Sequence, residues 1–158
     1  MNLKIREANI NDYTEVYNLI LEVYKLHLKG RPDVYLEIDN PLTREYFNDL
    51  LNSNTSKIFV VQNLDNKKLA AYSILQVMTT KNPILIPKTF IYIDDFCVSL
   101  NFKRTGIGKM MFNYIVDYAK SKKYDSLQLN VWEFNKAAIK FYEAMGMSTR
   151  NRRMEFNL

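Results

Sequence analysis

Ile93-Asp94-Asp95-Phe96-Cys97-Val98, with Lys103-Arg104-Thr105-Gly106-Ile107-Gly108-Lys109 close behind it, decides how this chain folds. Side chains alternate across a strand, so Phe90, Tyr92, Asp94, Phe96 and Val98 are expected on one face and Ile91, Ile93, Asp95 and Cys97 on the other. Both sets are mainly apolar, which predicts a central strand covered on both sides. Alternation also sends the two aspartates to opposite faces. A buried carboxylate is costly unless paired or neutralised, so one should meet a local cation or backbone donors while the other marks a polar cavity. Behind the strand, Gly106 and Gly108 carry no Cβ to hold a ligand away, and the first N–H groups of the following helix lack intrahelical partners and can point at an anion. Lys103, Arg104 and Lys109 add positive charge where the helix dipole already favours an anion. The same residues also suit an ordinary turn. Spacing excludes two other phosphate motifs. The nucleotide P-loop would need glycine and Ser or Thr where this chain has Lys103 and Met110, and the dinucleotide fingerprint would need a third glycine.

A chain of 158 residues fits one domain, residues 1–158, able to bury about two-thirds of its unfolded surface. No apolar run approaches the roughly 20 residues of a membrane span, and the first residues, Met1 to Arg6, lack an apolar signal core. The one cysteine, Cys97, permits no disulfide within the chain, and in an apolar strand it reads as a buried inert thiol, so a reducing, cytoplasmic location is expected. No metal-ligating cluster is expected. The net charge of +5 suits an anionic partner, but the cations are scattered and lack interleaved aromatics, so no nucleic acid is expected.

In chain order, residues 3–8 read as a strand. Asp12 and Glu15 form a capping box for a helix over residues 11–29, with Val16, Leu19, Ile20 and Val23 on one face and Gly30-Arg31-Pro32 ending it. Asn40-Pro41 opens a second helix, with Leu42, Tyr46, Leu50 and Leu51 inward. These helices would border a cleft beside the central strand, which makes Tyr24, His27 and Tyr35 candidate substrate contacts. Residues 58–62 and 69–77 read as a hairpin, and residues 78–88, with Pro83 and Pro87, as a loop over the substrate. After the glycine turn, Ile107, Met110, Met111, Tyr114, Ile115 and Tyr118 line the inner face of a helix reaching about residue 121. Residues 126–131 read as a strand. Asn135, after Trp132-Glu133-Phe134, is an N-cap for a helix ending at Gly146, and residues 147–148 and 153–156 can supply closing strands.

With these elements placed, the sequence resembles the GNAT superfamily of N-acetyltransferases. Lys103-x-x-Gly106-x-Gly108 resembles the family's Arg/Gln-x-x-Gly-x-Gly/Ala loop, with lysine in the first position. Asn135, Ala138 and Phe141-Tyr142-Glu143-Ala144-Met145-Gly146-Met147 resemble its Asn…Phe-Tyr-x-x-x-Gly-Phe, with Met147 in place of Phe. The resemblance covers residues 92–156 in motif and the N-terminal half in element order only. It implies a mixed α/β (α+β) single domain, with a splayed, mostly antiparallel sheet of six to seven strands flanked by about four helices. It implies acetyl-CoA between the strands near residues 94–98 and 127–131. Pyrophosphate would lie on the backbone N–H groups of Arg104, Thr105, Gly106, Ile107, Gly108 and Lys109 with the Lys103 side chain beside it, and the pantetheine arm along Phe96, Cys97 and Val98 and beside Asn135, Ala138 and Tyr142.

By the same resemblance Tyr142 donates a proton to the leaving thiolate. Asp94 stands where the diamine and polyamine acetyltransferases of the superfamily, whose strand reads Glu-Asp-Phe, carry a proposed base. Asp94 is shorter than Glu, so a bridging water is expected. The acceptor would be a small-molecule or peptide amine, the enzyme commonly a homodimer. The basic net charge argues against highly charged polyamines. The alternative is a non-catalytic acyl-CoA-binding regulatory module, which shares the glycine turn but needs neither Tyr142 nor Asp94.

Overall fold

The computed structural model describes residues 1–158. Five strands form one sheet in sequential order: β1 (Leu3–Glu7), β2 (Ser56–Asn63), β3 (Leu69–Thr79), β4 (Thr89–Val98) and β5 (Leu127–Gln128). The pairs are antiparallel except β4–β5, which is parallel because α3 (Ile107–Ser121) carries the chain back across one face. Helices α1 (Tyr13–Gly30) and α2 (Arg44–Asn52) pack on the opposite face, and α4 (Lys136–Ala144), which follows β5 in the chain, packs Phe141 and Tyr142 into the α3 layer.

The fold has two apolar layers, one on each face of the sheet. Val16, Leu19 and Ile20 of α1 and Phe47 and Leu50 of α2 meet Val60, Tyr72, Ile74 and Cys97. Ile107, Met111, Phe112 and Ile115 of α3 meet Phe59, Ala71, Leu75, Ile91 and Ile93. The inward positions of α1 and α3 recur at helical spacing, as the sequence predicts.

The start of α1 differs from expectation. Asp12 does not cap it. A 3-10 turn over Ile10–Asp12 comes first, with a capping box between Asn9 and Asp12. Arg6 makes a bidentate contact with the Asp12 carboxylate at 2.7 and 2.8 Å, tying β1 to the helix. Burial works to raise the Asp12 carboxyl, but the Arg6 bonds and the Asn9 N–H outweigh it and hold the group below its ordinary range. Helix α2 begins three residues later than Pro41 suggests, because Thr43 supplies the cap, its hydroxyl accepting from the Tyr46 N–H at 3.1 Å.

The face assignment of the central strand is corrected by a bulge. Ile74 pairs with Asp95 but its neighbour Leu75 pairs with Ile93, so Asp94 is an extra residue opposite no partner. The alternation changes phase there. Ile91 and Ile93 before the bulge, and Phe96 and Val98 after it, all contribute to the α3 layer, while Cys97 joins the α1 layer.

Five strands, not six to seven, are present. β5 pairs only at Ile91–Leu127 and Tyr92–Gln128, so the expected strand over residues 126–131 is cut to two residues. The expected closing strands at 147–148 and 153–156 do not form. Met154 and Phe156 stand 90% and 87% exposed, and a segment that buries no apolar surface gains nothing to offset its ordering entropy.

Candidate active site

Beyond Tyr92 and Gln128 the parallel pair separates, leaving one side of β4 without a strand partner. The gap opens into a cavity of about 350 Å³. Its walls come from Val23, Leu26 and His27 of α1, Tyr35, residues 92–96, residues 129–132, and Asn135, Ala138 and Tyr142 of α4. The N-terminal and C-terminal halves of the chain thus share one site.

Tyr142 reaches the cavity from α4 between Phe96, 6.2 Å away, and Phe112, 6.5 Å away, ring centre to ring centre. Its hydroxyl makes no hydrogen bond within the protein. Burial, then the nearby Asp95 and Cys97, push the phenol well above its ordinary range, so it holds its proton at neutral pH. Asn135 caps α4, its side-chain oxygen accepting from the Ala138 N–H at 3.2 Å, and both residues line the cavity.

The two aspartates border the same cavity, contrary to the opposite faces expected from strict alternation. The bulge is the reason. Asp94 is open to solvent through the cleft, and burial by the surrounding walls raises its carboxyl above its ordinary value. Asp95 is a residue the sequence reading left without a role. It accepts a short hydrogen bond from the buried Tyr72 hydroxyl and another from the Phe96 N–H at 2.9 Å. Burial is the main cause of its carboxyl's rise to about 6, with Asp94 adding repulsion against the pull of the two hydrogen bonds. No cation pairs with it, and its donors are a phenol and a backbone amide.

The backbone expected to hold the pantetheine arm is therefore only partly free, since the Phe96 amide is spent on Asp95. The Cys97 side chain points away from the cavity, its thiol donating to the Leu19 carbonyl at 3.6 Å. It is pushed up to about 12, first by burial and then by Glu22 and Asp95.

The glycine turn lies at the far end of β4. The backbone N–H groups of Arg104 to Lys109 have no acceptor within the protein, the first helical bond being Met110 N–H to the Gly106 carbonyl at 3.0 Å. Arg104 and Gly106 both have positive φ, 62° and 87°, which folds the amides into a concave row suited to an anion. Gly106 is needed for that conformation. Gly108 is also required by packing. A Cβ there would stand 3.3 Å from the Phe141 ring and 3.5 Å from Val98, so its bareness lets α3 pack on the core.

Of the three candidate substrate contacts, two reach the cavity. His27 stacks on Tyr35 at 5.2 Å, and burial lowers its pKa, leaving it neutral. The Tyr35 hydroxyl accepts from the Trp132 indole N–H at 2.8 Å. Tyr24 is not in the cavity. Its hydroxyl donates to the Leu36 carbonyl at 2.6 Å and accepts from the Ile38 N–H at 2.8 Å, which fixes the loop carrying Tyr35. The loop over residues 80–88 does not line the cavity. Trp132 and Phe134 were visible in the sequence only as residues preceding a cap. Their aromatic character beside an N-cap was the one available signal.

A profile of the acetyltransferase (GNAT) family matches residues 16–147. The chain belongs to this family. A tetramutant of the BH1408 protein of Bacillus halodurans has the same fold, with TM-score 0.94 and 31% identity over 98% of this chain and 99% of that one. An aminoglycoside acetyltransferase, meta-AAC0020 from an uncultured soil metagenomic sample, solved with sisomicin, is similar at TM-score 0.73 and 21% identity, over 99% of this chain and 95% of that one. A curated relative, the [ribosomal protein bS18]-alanine N-acetyltransferase of Salmonella typhimurium, is 26% identical over 89 residues, 56% of this chain. The matched region spans about half, 54%, of that relative's length. GNAT acetyltransferases use acetyl-CoA. The relatives do not single out a diamine or polyamine acceptor. No helix is long and apolar enough to cross a membrane.

Proposed function

We propose that the protein transfers an acetyl group from acetyl-CoA to a primary amine by direct attack within a ternary complex. The observation that carries this is the continuity along β4. β4 borders the cavity containing Asp94, Asp95 and Tyr142, and the chain leaving it at Val98 runs through a short turn into six acceptor-free amides, Arg104 to Lys109. The amide row and the positive charges of Lys103, Arg104 and Lys109 suit a pyrophosphate. The open side of β4 and the end of α4 at Asn135 and Ala138 suit an extended arm leading from it. Acetyl-CoA, when bound, supplies a thioester carbonyl and a thiolate leaving group.

The chain's own residues then have two proton tasks. An amine is cationic at neutral pH and attacks only after losing a proton. Asp94 takes that proton, directly or through one water, since its carboxylate is short and open to the cleft. Tyr142, which keeps its proton at neutral pH, gives it to the departing sulfur. Asp95 serves as a fixed acceptor that holds the Tyr72 hydroxyl and the Phe96 amide and so shapes the bulge presenting Asp94.

The test is thiol release from acetyl-CoA across a panel of primary amines, with Tyr142→Phe as the probe. General acid catalysis contributes about 10²–10⁴-fold, so the variant should lose roughly 100-fold in kcat with acetyl-CoA affinity changed less than about threefold. An unchanged rate across the pH range would remove Tyr142 from the reaction. Acetyl-CoA binding without turnover of any amine would favour a regulatory acyl-CoA-binding module.

A further inference from the structure

The charge inside the cavity is opposite to the charge of the whole chain. The protein carries a net +5, yet no lysine or arginine lines the cavity, whose ionisable carboxyls are Asp94 and Asp95. His27 in its wall is neutral. The guanidinium over the Trp132 wall is turned to another use. Arg31 covers the Trp132 ring from outside the lining at 4.9 Å and pairs with Asp33 at 2.7 Å and Glu155 at 2.6 Å. Eleven of the sixteen lining residues are hydrophobic. On the N-terminal side the wall is aromatic and rigid. Tyr35 stacks on His27 and is bonded to Trp132, which stacks on Phe134, and the Tyr24 hydroxyl holds the Tyr35 loop in place.

Such a lining discriminates by chemistry. Asp94, open to the cleft, satisfies one ammonium group, while Asp95 is engaged by Tyr72 and Phe96, and the lining holds no further carboxylate for a second cation and no lysine or arginine for an anion. Several of the polar groups in the lining are already engaged, the Tyr35 hydroxyl by the Trp132 indole, the Asn135 oxygen by the Ala138 N–H and the Asp95 carboxylate by Tyr72 and Phe96, which leaves less purchase for a polyhydroxylated sugar. A flat apolar body loses no hydrogen bonds on entering and gains contact with aromatic side chains.

We propose that the acceptor is a small primary amine with a flat apolar body, an arylalkylamine, whose nitrogen seats at Asp94 and whose body lies against Tyr35 and Trp132. This rests on the acetyl-transfer reading above and narrows it. Amines bearing a carboxylate or phosphate near the reacting nitrogen are refused by repulsion from the two aspartates, and a second ammonium finds no partner.

The experiment compares phenylethylamine, phenylalanine, glucosamine 6-phosphate, spermidine and a peptide with N-terminal alanine by thiol release at saturating acetyl-CoA. Phenylethylamine should exceed phenylalanine and the sugar phosphate by about 100-fold in kcat/KM, since like charges in a desolvated site are strongly disfavoured, and spermidine by about tenfold. Trp132→Ala should raise the KM for phenylethylamine about tenfold with little change for ethylamine, and Trp132→Phe should keep the aryl preference. If Trp132→Ala does not fold, Tyr35→Leu carries the same expectation. A kcat/KM for phenylalanine, the sugar phosphate, spermidine or the peptide equal to that of phenylethylamine overturns this inference and leaves acetyl transfer standing. Absence of thiol release with every amine, with acetyl-CoA bound, overturns both.

Discussion

Asp95 shows how one residue's chemistry depends on its surroundings. As part of an Asp94-Asp95 pair it could have met a cation. Instead it meets the Tyr72 hydroxyl and the Phe96 amide in a buried setting, and its carboxyl rises to about 6 from 3.8. The folded state therefore holds this proton more tightly than the unfolded chain, so the contribution to stability is full below pH 3.8 and is lost as pH rises to about 6. The difference amounts to at most about 3 kcal/mol. Asp95→Asn cannot ionise, so its stability relative to the wild type should rise by up to that amount between pH 4 and 7. Urea titrations at the two pH values measure it, and a pH-independent difference would show that Asp95 does not titrate in this window. Arg104 offers a second test at this scale. If the backbone amides hold the pyrophosphate, Arg104→Gly, which suits the φ of 62°, should leave acetyl-CoA affinity within about threefold. A loss beyond tenfold in calorimetry would assign the binding to the guanidinium.

At the scale of the element, the bulge in β4 is what brings two consecutive aspartates to one cavity. Deleting Asp94 would let Ile93 and Asp95 pair in regular alternation with Leu75 and Ile74, so the strand and its two apolar layers should survive. The deletion should shift Tm by no more than about 4 °C, the effect of roughly 1 kcal/mol in a chain of this size, while lowering thiol release at least about 100-fold. Retained activity would mean that the bulge is incidental. The helices around this strand were legible because their apolar positions repeat every three or four residues, as Val16, Leu19 and Ile20 and Ile107, Met111 and Ile115 do. The bulge was not legible. An inserted residue changes the pairing without changing the local composition, and Ile-Asp-Asp-Phe reads the same with or without it.

Over the whole molecule, the site depends on contact between segments far apart in sequence. Phe134, just before α4, lies on the backbone of Gly30 at the end of α1, where a Cβ would come within 2.3 Å of the ring. Gly30→Ala forces that ring to swing away and loosens the wall formed with Trp132 and His27. Alanine favours a helix by about 1 kcal/mol over glycine, which offsets much of the packing loss, so stability should change by about 1 kcal/mol or less. The acceptor KM should rise several-fold with acetyl-CoA affinity unchanged. A change confined to acetyl-CoA binding in steady-state and calorimetric measurements would contradict this division of the site.

The sequence alone determined the helices, the central strand, the family resemblance and the turn at Gly106, because periodicity and backbone requirements are local properties. Tertiary structure alone decided that the sheet stops at five strands, that Asp94 and Asp95 share a cavity with His27 and Trp132, and that Tyr24 supports a loop instead of facing the cavity. Each of these depends on which distant segment supplies the partner for a hydrogen bond or an apolar face. Single-chain periodicity carries no record of that partner.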